Sequence, residues 1–453
     1  MTECIAPLRL SLPGQLPLFV EFEAPEISSD AGVLLLRQVD DQLGLTLGLA
    51  SCLRDERAPS RVLHSRHEQV RQRVFQIALG YEDGNDADRL RHDPLLKTAC
   101  DRAPKDGVGL SSQPTLSRLE TSVGPAALRR LMRQLERSYV ASLPVEQEVV
   151  ILDIDSTDDA TYGAQQLSFF HGYYDQHMYH PLLVFDGDTG ELITVRLRPG
   201  NTHASKGAAG ILRRLIRKIR RRCPRSQIVV RGDSGFCVPK ILRVLERLNA
   251  TLGGVDYLLG MAKNSRLVKL LEPTLEQARK ICEQRLGATV TRFATLRYAA
   301  HTWTRKRLLV GKAEHSRRGA NPRFVITTLE GFDPETLYRA YCHRGQCELW
   351  IKDLKNALAA DRLSCTAFAA NFFRLLLHAA AYRLMQALRR QTQSASPQLG
   401  KAQFDTLRLR LLKVAALVRQ STRRILIQLP TAYPQAALFR QLLELLQPRP
   451  APS

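Results

Sequence analysis

Residues 149–155 read VVILDID, a run of aliphatic and β-branched residues that ends in an acid. Such a run is typical of a buried strand. Residues 227–233 read QIVVRGD and end in the same way. An α/β sheet presents ligands to a crevice at its strand ends, so Asp155 and Asp233 are candidate site residues. Taken singly, an Asp at a strand end is more often a cap or a turn former. Asp153 competes with Asp155, because residues two apart on a strand point to the same face.

The residues around these runs predict how the sheet is built. Between them, strands are predicted at 167–173, 179–185 and 192–197, separated by turn signals, and a basic helix at 207–222. After the second run, a helix at 238–249 and a strand at 257–262 follow. An antiparallel meander followed by alternating strands and helices predicts an α/β fold.

The rest of the chain departs from this alternation. Residues 263–330 contain one helical piece and several strand-like runs, which predict an insertion. A long helix at about 334–359 and an apolar helix with basic residues near 371–390 follow. Residues 391–400, rich in Gln, Ser and Pro, predict a linker into a basic tail. At the front, apolar residues from 31 to 131 recur at helical spacing and predict a helical region.

The charge balance indicates the partner. The chain of 453 residues has 66 Lys and Arg against 44 Asp and Glu, a formal net charge of +22. Such a field attracts polyanions, so nucleic acid is the expected partner. The basic residues cluster: residues 205–222 contain eight and no acid, and residues 362–428 contain twelve against only Asp405. The alternative is that the basic balance serves solubility or reflects a GC-rich genome.

A helix predicted to start near 111, with Arg118 on its first turns, could enter a DNA groove or be an ordinary surface helix.

Residues 341–355 read YCHRGQCELWIKDLK and contain the spacing Y-x2-R-x3-E-x6-K. On a regular helix, at about 100° per residue, Tyr341, Arg344, Glu348 and Lys355 share one narrow stripe. This stripe would suit a metal-binding Glu flanked by side chains that hold phosphate. The alternative is a solvated helix face with an Arg344 to Glu348 ion pair, worth on the order of a few tenths of a kcal/mol.

The candidate acids suit one kind of chemistry. Phosphoryl transfer on DNA can use carboxylates that fix two Mg²⁺ ions about 3.5–4 Å apart, one activating the attacking oxygen and one the leaving oxygen. Mg²⁺ takes hard oxygen ligands and usually only one or two carboxylates per ion. Three acids from separate elements suffice. The sequence therefore offers Asp155, Asp233 and Glu348 as ligands of Mg²⁺, with Mn²⁺ as a substitute.

The Y-x2-R-x3-E-x6-K signature resembles that of the DDE transposases of insertion sequences, and further stretches resemble their group 1. These stretches are GYED at 80–83, SQPT at 112–115, LDIDST at 152–157, FHGYY at 170–174, RPGN at 198–201, RGDSGF at 231–236, AKN at 262–264 and IKDLK at 351–355. The family shows D-x-T at its first acid, so the resemblance places the three catalytic, metal-binding acids at Asp155, Asp233 and Glu348, with Asp153 as the fallback.

The resemblance also implies a domain order. It consists of a helical N-terminal DNA-binding domain (1–145), the first part of an RNase H-like core (146–262), a β-rich insertion (263–330), the second part of the core with the Glu-bearing helix (331–390) and a basic C-terminal region (391–453). Tyr341, Arg344 and Lys355, with Lys352 in the IKDLK stretch, are then expected to bind DNA phosphates. Trp303 in the insertion is a candidate platform for a flipped base, with a buried core role as the alternative. His180 and His203 are expected near the site as neutral, hydrogen-bonding residues.

The function implied is cut-and-paste transposition in a bacterium. The enzyme would bind the terminal inverted repeats, cut the element at its ends and join the freed 3′ hydroxyl to target DNA, as a homodimer in a synaptic complex. The start of the chain lacks a signal peptide pattern, and charged residues interrupt the most apolar stretch, so a cytoplasmic protein is expected. Two alternatives remain open: a nuclease or resolvase on the same fold that cuts without joining, and a non-catalytic DNA-binding protein derived from a transposase.

Overall fold

The computed structural model describes residues 8–10, 16, 18–21, 26–105 and 107–447. The strands are β1 (Leu8–Leu10), β2 (Leu18–Val20), β3 (Ile27–Ser28), β4 (Val149–Ser156), β5 (Asp159–Ala160), β6 (Phe169–His171), β7 (Gln176–Tyr179), β8 (Leu182–Asp186), β9 (Leu192–Arg196), β10 (Gln227–Gly232), β11 (Val255–Met261), β12 (Val290–Tyr298), β13 (Arg307–Ser316), β14 (Gly319–Ala320), β15 (Arg323–Thr327), β16 (Ala416–Gln420) and β17 (Ile425–Gln428).

The helices are α1 (Val33–Leu43), α2 (Leu45–Ala50), α3 (Arg66–Leu79), α4 (Ala87–Leu90), α5 (Pro94–Ala99), α6 (Gln113–Thr121), α7 (Pro125–Ser142), α8 (Ala208–Arg222), α9 (Pro239–Leu252), α10 (Ser265–Gln284), α11 (Pro334–Cys342), α12 (Gln346–Lys352), α13 (Phe368–Ala395), α14 (Pro397–Gly400), α15 (Phe404–Leu407) and α16 (Ala436–Leu446). Within the described ranges, none of these helices has the length and apolar character needed to cross a membrane.

The chain divides into two compact units. One unit comprises residues 1–44, 55–118 and 388–453, and the other comprises residues 45–54 and 119–387. The first unit therefore combines the front of the chain with its tail. The domain boundaries derived from the sequence stay predictions.

A mixed sheet forms the centre of the second unit. Its strand order is β12-β13-β15-β11-β10-β4-β8-β9, and β14 pairs with β13. β4, β10 and β11 run parallel to one another, while the remaining neighbours are antiparallel. The prediction of a mixed α/β fold with a large sheet is confirmed. β12, β13 and β15, which the sequence placed in an insertion, extend this same sheet beyond β11.

Alternating side chains divide this sheet into two faces. On β4, Val150, Leu152 and Ile154 join the larger apolar core together with the buried sides of α8 and α9. On the opposite face, Val229 and Leu258 pack with α11 residues in a smaller core. The acids of β4 occupy odd-numbered positions, so they lie on the side of the sheet away from the larger core.

The helical region after the insertion differs from its prediction. The expected helix at about 334–359 is interrupted by a 3-10 turn at His343–Gly345 and ends in a π-helical turn at Asp353–Ala357. The prediction of one continuous helix over 334–359 is therefore wrong. The predicted linker at 391–400 is also wrong, because α13 continues to Ala395 and α14 occupies Pro397–Gly400.

Polar contacts hold the first unit together. The Asp30 carboxylate accepts a hydrogen bond from the Tyr81 hydroxyl at 2.8 Å and forms an ion pair with Lys413 Nζ at 2.7 Å. The Lys413 ammonium also lies 3.7 Å from the centre of the Tyr81 ring. Asp30 is almost fully buried, so this pairing satisfies a charge that would otherwise be costly. It connects three segments that are distant in sequence.

Candidate active site

Two of the predicted acids lie next to each other because of strand register. β4 and β10 are parallel neighbours, and Ile154 pairs with Gly232. The next residues, Asp155 near the end of β4 and Asp233 just after β10, therefore lie side by side at the same edge of the sheet. Asp233 also caps the short 3-10 turn that follows, since its Oδ1 accepts a hydrogen bond from the Gly235 amide at 2.9 Å. Both carboxylates are thus positioned by backbone structure.

The third acid reaches this edge from the helical segment after α11. Arg344 Nη1 lies 3.5 Å from Asp155 Oδ2 and 4.0 Å from Glu348 Oε1. One guanidinium therefore lies between the strand acid and the helix acid. The Asp155 side chain is 11% exposed and the Glu348 side chain 65% exposed, so the pair spans the site from its floor to its opening.

A cleft of about 750 Å³ opens at this edge of the sheet. Of the predicted site residues, six line it: Asp155, Asp233, Arg344, Glu348, Lys352 and Lys355. The others that line it are Ser156, Thr157, His171, Tyr173, Tyr174, His180, His203, Ala204, Ser234, Gly235, Ile351 and Asn356. Three acids and three basic side chains thus face one space.

The electrostatics of the cleft favour an additional cation. Burial raises the pKa of Asp155 to about 6; the Arg344 guanidinium opposes this shift, while Asp233 and Glu348 add to it by repulsion. A carboxylate in these surroundings gains from any further positive charge that approaches it. The distances and charges together describe an acidic floor that Arg344 neutralises only in part.

Asp153 and Asp155 differ in their surroundings because of Arg231. Arg231 Nε and Nη2 donate to the two Asp153 oxygens at 2.6 and 2.7 Å, and both side chains are buried. Arg231 also donates to the Ala340 carbonyl of α11 at 2.9 Å. Asp153 is therefore fully engaged beneath the site and does not line the cleft.

The remaining predicted residues occupy different surroundings. Lys355 lines the cleft, where its Nζ lies 2.9 Å from Asp158 Oδ1 and donates to the Asp158 carbonyl at 3.0 Å. Tyr341 does not line the cleft but packs against the smaller core. Trp303, also outside it, packs against the larger core, with Arg307 4.8 Å from its ring centre. Arg118 is an exposed residue of α6 in a segment of the first unit.

One wall of the cleft consists of aromatic and imidazole rings. His171, Tyr174 and His180 pack edge to face, with ring centres 5.1 to 5.9 Å apart. His180 Nδ1 lies 2.7 Å from the Thr202 carbonyl, and burial lowers the pKa of His180 to about 4, so its ring is neutral at pH 7. The expectation of a neutral, hydrogen-bonding histidine near the site agrees with His180, and His203 also lines the cleft, where its Nδ1 lies 2.9 Å from the Ser205 hydroxyl oxygen. The sequence reasoning assigned no role to His171, Tyr173 and Tyr174, although the FHGYY stretch was the signal that could have found them.

The donor set fits a hard divalent cation in its chemistry. Asp155, Asp233 and Glu348 supply carboxylate oxygens to one cleft, where burial, with added repulsion from the other two acids, raises the pKa of Asp155. Such oxygens are the ligands that Mg²⁺ prefers. Among the described residues, no group of three or more His, Cys, Asp or Glu is close enough to form a finished metal site. The three acids are therefore gathered in one cleft without being drawn together around a common point.

Comparison with known proteins identifies the family. The family model "Transposase DDE domain group 1" matches residues 12–451, nearly the whole chain. The chain belongs to this family of DDE transposases. Members of the family generally use divalent metal ions, in agreement with the carboxylates of the cleft. The family resemblance read from the sequence motifs is confirmed.

This DDE transposase was also compared with solved structures and with curated proteins. A solved structure, the cryo-EM structure of the piggyBac transposase synaptic complex with hairpin DNA, is similar over 94% of this chain and 87% of that chain, with 10% sequence identity and a TM-score of 0.42. A search of curated proteins gave no match.

Proposed function

We propose that this DDE transposase is the enzyme of a bacterial insertion sequence, which binds terminal inverted repeats and catalyses cut-and-paste excision and strand transfer. The observation that carries the proposal is the cleft itself. It is lined by Asp155, Asp233 and Glu348, which come from two strands and a helix, with Arg344 between two of them. These are the acids that the family signature assigns to catalysis.

Asp155, Asp233 and Glu348 would hold the metal, which we propose to be Mg²⁺, with Mn²⁺ as a substitute. When bound, the metal supplies charge neutralisation and activation of the attacking and leaving oxygens of a phosphodiester. The protein positions these ligands: the register of β4 and β10 fixes the carboxylates of Asp155 and Asp233, and α12 carries Glu348. Of the two acids near Arg344, Glu348 is more exposed than Asp155, so its side chain has more freedom to adjust its position.

The cations of the cleft are suited to hold the DNA backbone. Lys352 and Lys355 line the same opening as the three acids. We propose that both, with Arg344, contact phosphates on either side of the scissile bond, since charge-assisted bonds from Lys and Arg are strong and directional. Lys355 exchanges its contact with Asp158 for one with phosphate in this proposal. Tyr341, packed behind the site, would position Asp233 rather than touch DNA.

Further parts of the proposal concern the architecture. We propose that the mixed sheet is an RNase H-like core, supported by the acids at the ends of the parallel neighbours β4 and β10. A synaptic homodimer in the cytoplasm, with Arg118 on α6 contacting the DNA ends, completes the proposal. Arg118 is exposed, as such a contact requires.

The test is cleavage and joining of a DNA fragment that carries the element's own ends. Wild type is compared with Asp155→Asn, Asp233→Asn and Glu348→Gln, with Mg²⁺ and with EDTA. Asp188→Asn is the matched control, because Asp188 is an exposed acid that does not line the cleft. Metal-dependent cutting and joining that only the three cleft variants lose is the expected result. Cutting without joined products would replace the proposal with a nuclease, and tight binding without cutting would replace it with a DNA-binding protein.

A further inference from the structure

A row of cations follows the outer side of two neighbouring helices in the second unit. α8 and α9 lie side by side and bury their apolar sides in the same core. Seven exposed basic residues on and next to them form what we name the basic face: Lys206, Arg213, Arg217, Arg221, Lys240, Arg243 and Arg247. Their spacing follows from the helix. Arg213, Arg217 and Arg221 are each four residues apart, which sets successive cations about 6 Å apart along one side of α8.

The basic face is not balanced by carboxylates. α8 contains no acid, and the single acid of α9, Glu246, is paired with Arg305 and Arg307 at 3.1 and 2.6 Å. The neighbouring cations of α8, Arg214 and Lys218, are different, since both bind the buried Glu136. Within the described part of the chain, the seven cations of the basic face form no ion pair. Their charge is available to an external partner.

The basic face and the described residues between its members include no exposed large apolar side chain, which limits the classes of partner that this face can bind. None of the exposed large hydrophobic side chains among the described residues lies between positions 206 and 252. A helix that inserts into a membrane surface needs an exposed apolar side, and a groove for single strands needs aromatic rings on which bases stack. A face built of cations alone matches a partner that offers only regularly spaced phosphates. Duplex DNA, whose bases are stacked inside, is such a partner.

The basic face begins at the cleft. Ala204 lines the cleft shortly before α8 starts at Ala208, and Gly235 lines it shortly before α9 starts at Pro239. Both helices therefore run away from the cleft with their first residues nearest to it. A duplex lying along the basic face would have one part beside the carboxylates.

We propose that the basic face binds the phosphate backbone of a duplex whose sequence the protein does not read, namely the DNA into which a cut end is joined. This inference rests on the proposed function, because it assigns a place to the second DNA of strand transfer. It accounts for the charge cluster at 205–222 without any contact to base edges. Contacts to phosphates fix position but carry no sequence information.

The first measurement is the salt dependence of binding to a duplex of unrelated sequence. Arg213→Gln/Arg217→Gln/Arg221→Gln is compared with wild type in the full-length protein. Each lost phosphate contact reduces the slope of log K against log salt by about 0.9, so a reduction of up to about 2.7 is expected. The matched control is Lys269→Gln/Arg279→Gln/Lys280→Gln on α10, where Arg279 is paired with Glu276 and Glu283. It removes the same charge and should change the slope much less.

The second measurement separates this inference from the proposed function. The triple variant of α8 should cut the element's own ends at the wild-type rate but join them to an unrelated duplex roughly 10- to 100-fold more slowly at about 0.1 M salt, because weaker phosphate contacts reduce occupancy of that duplex. Lys240→Gln/Arg243→Gln/Arg247→Gln on α9 should repeat the effect and guards against a folding defect confined to α8. If wild type neither cuts nor joins, the proposed function fails.

If wild type cuts and joins and both triple variants bind and join as well as it does, the inference about the basic face is overturned while the proposed function stands. Two other results would also overturn it. One is that the triple variants lose as much affinity for a single strand of the same length as they lose for the duplex. The other is a loss of binding to acidic phospholipid vesicles with no loss of duplex binding.

Discussion

Asp153 and Arg231, on neighbouring parallel strands, form a two-pronged salt bridge with N to O distances of 2.6 and 2.7 Å. Both are buried directly beneath the cleft that contains Asp155. The register of β4 and β10 places these two residues opposite each other. These two acids of one strand, separated by a single residue, thus have different surroundings. Asp153 is bound by the Arg231 guanidinium, whereas Asp155 faces the cleft.

This difference predicts opposite effects of the same substitution. Asp153→Asn leaves Arg231 as an uncompensated buried charge, so the free energy of unfolding should fall by about 3–5 kcal/mol. Asp155→Asn removes a desolvated carboxylate whose nearest cation is 3.5 Å away, so stability in EDTA should stay the same or rise. Urea denaturation measures both. Strong destabilisation by Asp155→Asn, with a small effect of Asp153→Asn, would reverse the assignment.

Gly260 is predicted to be needed for the position of Asp233. A Cβ at this β11 residue would lie 2.5 Å from the Tyr341 hydroxyl oxygen and 3.0 Å from the Ser234 amide nitrogen. Gly260→Ala should therefore displace Tyr341 and the backbone beside Asp233, and lower the cleavage rate by about 100-fold, as a misplacement near 1 Å can. Single-turnover cleavage measures the loss.

A second substitution tests this explanation. Tyr341→Phe removes the hydroxyl oxygen that the new Cβ would meet first. In the Gly260→Ala/Tyr341→Phe variant, part of the cleavage rate should therefore return. If the double variant is no faster than Gly260→Ala, contact with Tyr341 is not the cause of the defect.

Glu136 on α7 is predicted to make stability depend on pH. It is buried and accepts hydrogen bonds from Arg214 at 2.9 and 2.6 Å and from Lys218 at 2.9 Å. Burial alone would raise the pKa of Glu136, but these two cations outweigh it, and the folded-state pKa lies below the ordinary value of 4.5. Its contribution to stability is thus complete above about pH 4.5 and is lost as the pH falls through the lowered folded-state pKa.

Melting temperature measured from about pH 3 to pH 7 tests this dependence. Glu136→Gln should lower the free energy of unfolding at pH 7 by about 1–3 kcal/mol and flatten its decline in acid. An exposed carboxylate removed from another helix, in Glu335→Gln, serves as the comparison. An unchanged acid profile in Glu136→Gln would contradict the prediction.

Trp303 is predicted to act in packing. Its ring packs against the larger core, meets Tyr298 edge to face at 5.7 Å and has the Arg307 guanidinium over it. Trp303→Ala should lower the free energy of unfolding by about 1–3 kcal/mol, less than for a fully buried Trp, and leave cleavage intact. Because the chain has only two Trp, Trp350→Phe isolates the fluorescence of Trp303. Strong quenching by hairpin DNA would favour the alternative role in base stacking.

Much of the candidate site could be predicted from the sequence because its elements are local. The β-branched runs at 149–155 and 227–233 form β4 and β10, and the acids at their ends line the cleft. The Y-x2-R-x3-E-x6-K spacing correctly brought Arg344, Glu348 and Lys355 to one place. Tyr341 does not line the cleft, because its side chain packs against the smaller core with Val229 and Leu258, and the spacing alone could not predict that long-range packing.

The sequence by itself determined the family, the residue types of the site and the two strand ends that carry its acids. Only the tertiary structure decided which acid of β4 faces the cleft, because that depends on Arg231, 78 residues away, lying opposite Asp153 in a parallel pairing. It also decided that rings from FHGYY form a wall of the cleft and that the cations of α8 and α9 form one face. Local patterns specify which side of an element a residue occupies, but long-range pairing of strands and packing of helices specify what lies beside it.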